Sequence, residues 1–290
     1  MLNIQDALDY VEKNLTEQIN PDSVAQVAGY SRFHFQRVFK AITTMNLGAY
    51  IRMRRLNESA REITESNCRI IDAAFKYGFE SQEAYTRAFQ KQFGHTPGRL
   101  RKNKSARWII GKPIKLSQII TIEGKPMRPE FKDFREFEVI GLTKKYNSEN
   151  KQEIPELWQE FVGQIANVPY CCVEKGPSFG VCRADLKSVD TQITNCDEIE
   201  FFYTAAVEKS AFLENIPQEF EVIKIPAKTY AVFPCSLSKI AQTYAYIYST
   251  WLQSSEYAPD GELDFEMYGS EFLCSDPESL FHIYIPVKKK

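Results

Sequence analysis

The segment AAFKYGFESQEAYTRAFQKQFGHTP, residues 73–97, decides how the first part of this chain folds. A short apolar helix pattern runs up to Gly78, and Ser81 can then cap a second helix because its hydroxyl accepts a backbone N–H. Gly94 and Pro97 end that second helix. Its inward face carries four apolar side chains, Tyr85, Ala88, Phe89 and Phe93. The segment therefore predicts two helices joined by a tight turn.

The same pattern occurs once before in the chain. Gly29 lies 49 residues before Gly78, and Ser31 lies 50 residues before Ser81, so one residue, Glu80, is inserted in the second turn. A short helix, a glycine-containing turn and a Ser-capped helix form the layout of a helix-turn-helix, whose second helix enters the major groove of DNA. The sequence therefore predicts an all-α region with two helix-turn-helix units.

The polar faces of the two capped helices are the candidate DNA contacts. In the first of them, Phe33, Gln36 and Arg37 follow helical spacing and are predicted to point outward, opposite the apolar stripe. Arg can bridge guanine O6 and N7, Gln can pair with adenine, and Glu can accept from cytosine N4. One such stripe alone is more typical of a solvated helix face, but two in a repeated helix-turn-helix frame favour DNA. The predicted DNA-binding residues are Arg32, Phe33, Gln36, Arg37, Lys40, Gln82, Glu83, Thr86 and Arg87.

Three motifs carry a resemblance to a known family: Gly29-Tyr30-Ser31, His34-Phe35-Gln36-Arg37-Val38-Phe39-Lys40, and the stretch from Tyr77-Gly78-Phe79 to Phe93-Gly94-His95-Thr96-Pro97. Over about residues 3–103 the chain resembles the AraC/XylS family of bacterial transcription regulators. The resemblance implies homeodomain-like units joined by one long helix, here about Leu47–Ser66. It also implies that one chain, as a monomer, contacts two successive major-groove segments of promoter DNA. Activation through RNA polymerase is a further implication, and Glu83 departs from the glutamine expected at its position.

Charge and composition favour the same class. Residues 1–104 hold 16 Lys and Arg against 11 Asp and Glu, whereas the remainder holds 20 against 27. A basic front half can meet phosphate, and an acidic back half is repelled by it. Seven scattered cysteines without a C-x-x-C pair, and no apolar run of about 18 residues, predict a cytoplasmic protein without a signal peptide or membrane span. Neither a metal site nor a cofactor is expected, since no zinc spacing, P-loop or G-x-G-x-x-G is present.

After the expected linker, the apolar pattern changes from one of helices alone to one of strands and helices. We expect a DNA-binding domain over 1–104, a linker over 105–126 and a second domain over 127–290. Strands near 137–142, 178–183 and 199–207 surround a helix near 154–168, and the same order recurs with a strand near 229–233, a helix near 237–252 and strands near 263–272 and 280–287. This duplicated β-α-β-β unit predicts an antiparallel sheet with helices on one side, an α+β domain.

This half resembles the GyrI-like effector-binding domain, on the residues Val139-Ile140-Gly141, Leu157-Trp158, Tyr230-Ala231-Val232-Phe233, Phe265-Glu266-Met267-Tyr268 and Ile283-Tyr284-Ile285-Pro286-Val287. Its position after a double helix-turn-helix resembles the Rob-like branch of the AraC/XylS family. The resemblance implies a small amphipathic ligand, often cationic, held in an aromatic cleft by a carboxylate, for which Glu266 is the candidate. The predicted ligand-binding residues are Trp158, Phe202, Tyr230, Trp251, Glu266, Tyr268 and Tyr284.

Two other functions stay open for the second domain. Some GyrI-like relatives hydrolyse small reactive compounds, in which case Glu266 is catalytic. Alternatively, the domain binds a protein and no small ligand. Gly176-Pro177-Ser178-Phe179-Gly180 matches the pattern of a hydrolase nucleophile elbow, but that chemistry needs the serine on a turn from a strand into a helix, and a strand is predicted to follow here. We therefore predict a regulator and not an enzyme.

Overall fold

The structure is a computed structural model that describes residues 4–102, 111, 113–114, 127–147, 150–165, 176–184, 200–211 and 216–290. The chain divides into two compact units near residue 120. The expected linker over 105–126 lies outside the described residues, apart from 111, 113 and 114. In the described part of the chain, no helix is both long enough and apolar enough to cross a membrane.

The first unit is all helical. Polar caps start most of its helices, because the side chain of Asn20, Ser31, Asn46 or Ser81 accepts an N–H that would otherwise have no partner in the first turn. The long connecting helix predicted over Leu47–Ser66 is confirmed and ends at Glu65. The helices are α1 (Ile4–Lys13), α2 (Pro21–Val27), α3 (Arg32–Thr43), α4 (Leu47–Glu65), α5 (Ile70–Lys76), α6 (Gln82–Phe93) and α7 (Pro97–Lys102).

Both predicted helix-turn-helix units are present. In each turn the glycine has a left-handed backbone conformation, with φ of 75° at Gly29 and 76° at Gly78. This conformation costs a residue with a Cβ about 1–2 kcal/mol. Tyr85 and Phe89 of α6 are fully buried against Leu56 and Ile63 of α4. The long helix thus supplies part of the core of the second unit.

The second unit confirms the duplicated β-α-β-β order. A short 3₁₀ turn and a helix start at Lys151 and Ile154, and both recur 86 residues later at Leu237 and Ile240. The elements are β1 (Glu130–Phe134), β2 (Phe137–Tyr146), α8 (Ile154–Ile165), β3 (Ser178–Ala184), β4 (Phe201–Glu208), β5 (Phe220–Ile225), β6 (Lys228–Ser236), α9 (Ile240–Tyr246), α10 (Leu252–Ser254), β7 (Tyr257–Pro259), β8 (Leu263–Tyr268) and β9 (Leu280–Lys289). A π-helical turn, Ile247–Trp251, joins α9 to α10.

The strands form one antiparallel sheet in the order β1-β6-β9-β8-β3-β4-β2-β5, with β7 beside β9. Only Arg135 and Glu136 separate β1 from β2, although these strands lie far apart in that order. The sheet must therefore curl, and its inner face encloses an aromatic core. Rings on this inner face are Phe134, Phe137, Phe179, Tyr230, Phe265 and Tyr284.

The opposite side of the sheet, which we call the helix face, is covered by α8 and α9. Phe161 of α8 packs on Phe220 with 5.4 Å between ring centroids, and the thiol of Cys235 on β6 donates to Thr243 of α9. Since strand residues alternate between faces, Phe265 belongs to the inner face and Glu266 to the helix face. Both helices therefore pack on the side of the sheet to which Glu266 points.

Candidate functional site

The first recognition helix is α3. Ser31 caps it by accepting from the N–H of His34, and Gln36, Arg37 and Lys40 are partly exposed. The prediction that Phe33 points outward is wrong, because its side chain is 4% exposed and packs edge-on against His34. The Arg37 guanidinium lies over the Phe33 ring, 4.9 Å from its centroid. The Phe33 ring thus packs against the Arg37 guanidinium and does not itself form part of the exposed polar face of α3.

The second recognition helix is α6. Ser81 Oγ accepts from Ala84 N–H at 3.1 Å and so fixes where the helix begins. Gln82, Glu83 and Arg87 are exposed, and Thr86 is partly buried. At the start of α3, Arg32 lies 3.5 Å from the Asp22 carboxylate of α2, a weak ion pair near the surface. Each helix therefore presents a polar face of the kind that reads base edges.

In the second unit, Glu266 lies on the helix face inside a cage of tyrosine hydroxyls. Its residue is 4% exposed. Tyr203 of β4 and Tyr268 of β8 each donate to Oε2 at 2.7 Å, and Tyr244 of α9 donates to Oε1 at 3.2 Å. Side chains from two strands and one helix therefore converge on a single carboxylate.

Trp158 of α8 completes the cage from the other side. Its Nε1–H donates to Tyr203 Oη at 3.3 Å, so the proton of that hydroxyl is directed at Glu266. The Trp158 ring also meets Tyr268 edge-on, with 5.4 Å between centroids. Trp158 and Tyr244 occupy equivalent positions of the duplicated unit, 86 residues apart. The repeat thus places one aromatic side chain on either side of the carboxylate.

The electrostatics of Glu266 follow from its burial. Desolvation raises the pKa of this carboxyl above its ordinary value, the hydroxyls of Tyr203 and Tyr268 oppose the rise, and nearby Asp264 adds to it. Burial and the adjacent carboxylate raise the pKa of both tyrosines, so they remain neutral donors. All of the hydrogen bonds that Glu266 receives from described residues come from neutral hydroxyls. An organic cation is the ligand that such a carboxylate, set among aromatic rings, attracts.

A second carboxylate lies beside it on β8. Asp264 is fully buried and accepts from the hydroxyls of Tyr244 and Tyr248, each at 3.2 Å. Tyr244 is thus shared between Asp264 and Glu266. Asp264, Tyr203 and Tyr244 are not among the residues predicted from the sequence. The strand and helix periods could have indicated two of them, since Asp264 precedes Glu266 by two strand positions and Tyr244 repeats Trp158, but no local pattern points to Tyr203.

Of the seven predicted ligand-binding residues, only Trp158, Glu266 and Tyr268 come together. The prediction is wrong in placing the other four with them. Strand alternation turns Phe202, Tyr230 and Tyr284 to the inner face, where Tyr230 and Tyr284 are core residues and the Arg183 guanidinium covers Phe202. Trp251 packs instead with Phe131, Phe233 and Tyr257. Among the described residues, no group of three or more His, Cys, Asp or Glu could hold a metal ion.

Protein-family models match both units of the chain. The model of a helix-turn-helix domain matches residues 24–103, and the model of the integron-associated effector binding protein, Cass2, matches residues 131–287, more than half of the chain. The first match spans α3 and α6, and the second contains Glu266 with its cage. The chain therefore joins a DNA-binding module to an effector-binding module.

Curated relatives align with more than two thirds of this chain. The right origin-binding protein of Escherichia coli K12 is 35% identical over 214 residues, which cover 70% of this chain and 68% of the relative. The transcriptional regulator Rob of Salmonella typhimurium is 33% identical over 217 residues, with the same coverage. Among solved structures, SAV2435 bound to tetraphenylphosphonium has a TM-score of 0.42 at 19% identity and covers 56% of this chain and 94% of its own.

Proposed function

The chain belongs to the Rob-like transcription regulators of the AraC type, and on that premise we propose that it activates transcription as a monomer when a small amphipathic cation occupies the Glu266 site. Sequence-specific DNA binding and an effector-binding domain are properties of the family. The cation, the activation, the RNA polymerase contact and the monomeric state are the parts that we propose. We also propose domain boundaries of 1–104 and 127–290, with a linker between them.

One observation carries the ligand proposal. Glu266 is buried and, among the described residues, receives hydrogen bonds from neutral hydroxyls only, while Trp158 packs against two of the tyrosines that donate them. A buried carboxylate without a positive partner is costly, and a bound organic cation removes that cost. Aromatic rings at its sides add cation–π attraction and apolar contact. These features favour a lipophilic monocation over an anion or a neutral sugar.

The two recognition helices support the DNA proposal. The DNA-binding residues we propose are Gln36, Arg37 and Lys40 of α3 and Gln82, Glu83, Thr86 and Arg87 of α6, with Arg32 at the start of α3 and Phe33 acting through Arg37. Arg37 and Arg87 are expected to provide the strongest base contacts, because guanidinium can bond a guanine at two atoms.

The test of the ligand proposal uses a pair of probes of equal shape and opposite charge. Tetraphenylphosphonium should bind the full chain by titration calorimetry, and tetraphenylborate should not. Glu266→Gln should remove most of the binding of the cation. Equal affinity for the two probes, or unchanged affinity in Glu266→Gln, would contradict the proposal.

The relatives are transcription regulators, and we infer that the second domain is a sensor and not a hydrolase. The nucleophile-elbow pattern supports no serine chemistry, because Ser178 is the first residue of strand β3 and no helix follows it directly. A turnover assay separates the two functions, since a sensor shows saturable binding without product. Product formation that depends on Glu266 would identify an enzyme instead.

A further inference from the structure

The middle of α4 carries a buried polar cluster. Arg54 is fully buried and pairs with Glu12 of α1 at 2.8 Å and with Glu58 at 2.7 Å. Hydrogen bonds and attraction from these carboxylates keep the pKa of the guanidinium above its ordinary value despite the opposing effect of burial. One donor of Arg54, Nη1–H, remains for the chain beyond α7, and it bonds the carbonyl oxygen of Gly111 at 2.8 Å.

Asn57, one turn further along α4, holds the other backbone group of Gly111. Its Oδ1 accepts from Gly111 N–H at 3.1 Å, and the side chain is 3% exposed. A Cβ at position 111 would lie 3.0 Å from Asn57 Nδ2, so the glycine fits closely against the amide. Gly111 is thus held to α4 through both its N–H and its carbonyl oxygen.

The same Asn57 oxygen also binds the second recognition helix. Gln92 of α6 donates from Nε2 to Asn57 Oδ1 at 3.1 Å and to the Met53 carbonyl at 3.3 Å. One buried oxygen therefore joins three parts of the chain: α4, α6 and Gly111. Because the long helix α4 also connects to the first reading unit, a bond between α4 and α6 fixes the direction in which α6 points.

We propose that Asn57 is a positioning residue, which sets the orientation of α6 for DNA reading with Gly111 as its third partner. The inference rests on the proposed DNA-binding function. We call the two hydrogen bonds that Asn57 Oδ1 accepts, from Gly111 N–H and from Gln92 Nε2, the Asn57 bracket. Loss of this acceptor would leave both donors without a partner, which costs free energy, so the bracket favours one orientation of α6. Removing it is expected to disturb the half-site read by α6 and to spare the half-site read by α3.

Asn57→Leu and Asn57→Asp test the role. Leucine keeps the volume and loses the acceptor, whereas aspartate still accepts from both Gly111 and Gln92. On a cognate site, Asn57→Leu should bind about tenfold more weakly, and its hydroxyl-radical footprint should lose protection over the α6 half only. Asn57→Asp should restore that half. A core variant on the same helix, Ile63→Val, controls for general loss of stability.

A second measurement needs no DNA. In hydrogen exchange of the full chain, Asn57→Leu should speed exchange of α6 and of the Gly111 amide while α3 stays as in the parent, and Asn57→Asp should reverse the change. Equal loss of both half-sites, a footprint like that of Ile63→Val, or unchanged exchange of α6 would overturn the proposal. A parent chain with no preferred DNA site would instead contradict the proposed function, and the exchange result would still decide whether the bracket exists.

Discussion

Gly180 and Glu266 lie directly opposite each other in the β3–β8 pair, and the glycine leaves the space that the carboxylate and its tyrosine occupy. A Cβ at position 180 would lie 2.1 Å from Tyr203 Oη and 2.7 Å from Glu266 Oε2. No side chain larger than hydrogen fits without moving the cage. Gly180 and Glu266 are also 86 residues apart, which is the offset between the two repeats. One repeat therefore has a glycine at the position where the other has the carboxylate.

Gly180→Ala should therefore damage the ligand site. The added methyl group forces Tyr203 away from Glu266, and we expect a loss of stability of about 1–3 kcal/mol together with weaker cation binding. Denaturant unfolding and calorimetry measure the two effects. Gly163→Ala is the matched control, since nothing lies within 4 Å of a Cβ at that exposed helical position and alanine favours a helix. Equal behaviour of the two variants would argue against the tight cage.

The pH dependence of Glu266 follows from its raised pKa. Folding holds a proton on this carboxyl at pH values where the unfolded chain has lost it, so its stabilising contribution is complete below the ordinary value of 4.5 and is lost as pH rises through the raised native value. Glu266→Gln removes this titration. The stability of the variant relative to the parent should therefore increase with pH, measured by urea unfolding across the range.

Cation binding should have the opposite pH dependence. The carboxyl must ionise to pair with a cation, so affinity should rise with pH through the raised native pKa in the parent. In Glu266→Gln we expect affinity lower by about 1.5–3 kcal/mol and independent of pH over that range. Tyr244→Phe, which removes the weakest donor to the carboxylate, is a milder variant for comparison. A parent affinity that does not change with pH would count against this assignment.

The helix-turn-helix units show which features can be predicted from the sequence. Caps, glycine turns and the apolar stripe are local, so Ser31, Gly78 and Tyr85 indicated both units, whereas the bounds of the long helix between them came from the family resemblance. The burial of Phe33 was not readable, because helical spacing alone puts it on the polar face. Packing against His34 and Arg37 decides its position, and that depends on side-chain contacts beyond the period.

The ligand site was readable only in part. The family resemblance indicated Glu266, and the β-α-β-β order predicted from the sequence was correct. Pairing of β8 with β3, and of β3 with β4, brings Tyr203 to the carboxylate, and no local pattern reveals which strands become neighbours. Composition also cannot separate an aromatic ring in a cleft from one in a core, so Tyr230 and Tyr284 were predicted to bind ligand although they are core residues.

The turn of the second reading unit depends on Gly78 for two reasons. Its φ is 76°, and a Cβ there would lie 2.8 Å from Nη1 of Arg55, which donates from Nε to the Leu15 carbonyl. Gly94 has a similar φ of 72° but nothing within 4 Å of a Cβ. Both Gly→Ala variants should lose about 1–2 kcal/mol to left-handed strain. Gly78→Ala should lose more, and thermal unfolding of the pair isolates the Arg55 contact.

Phe33 and Arg37 should act on DNA as one unit. Arg37→Ala should cost about 1–3 kcal/mol of binding on a cognate site. Phe33→Leu removes the ring beneath the guanidinium and should cost about 0.5–1 kcal/mol. If Phe33 acts through Arg37, its substitution should have almost no further effect on binding in the Arg37→Ala background. Fully additive losses in fluorescence anisotropy titrations would show that the two side chains contribute separately.

The most direct measurement of the central claim is a footprint of the full chain, at physiological salt, on a site selected from genomic fragments. We predict one asymmetric site of about two helical turns, with protection in two successive major-groove segments from a single bound chain. Arg37→Ala and Arg87→Ala should each remove contacts from a different segment. Salt-sensitive binding without a preferred site would contradict sequence-specific recognition by the two units. A palindromic site that binds two chains would contradict the proposed monomeric state.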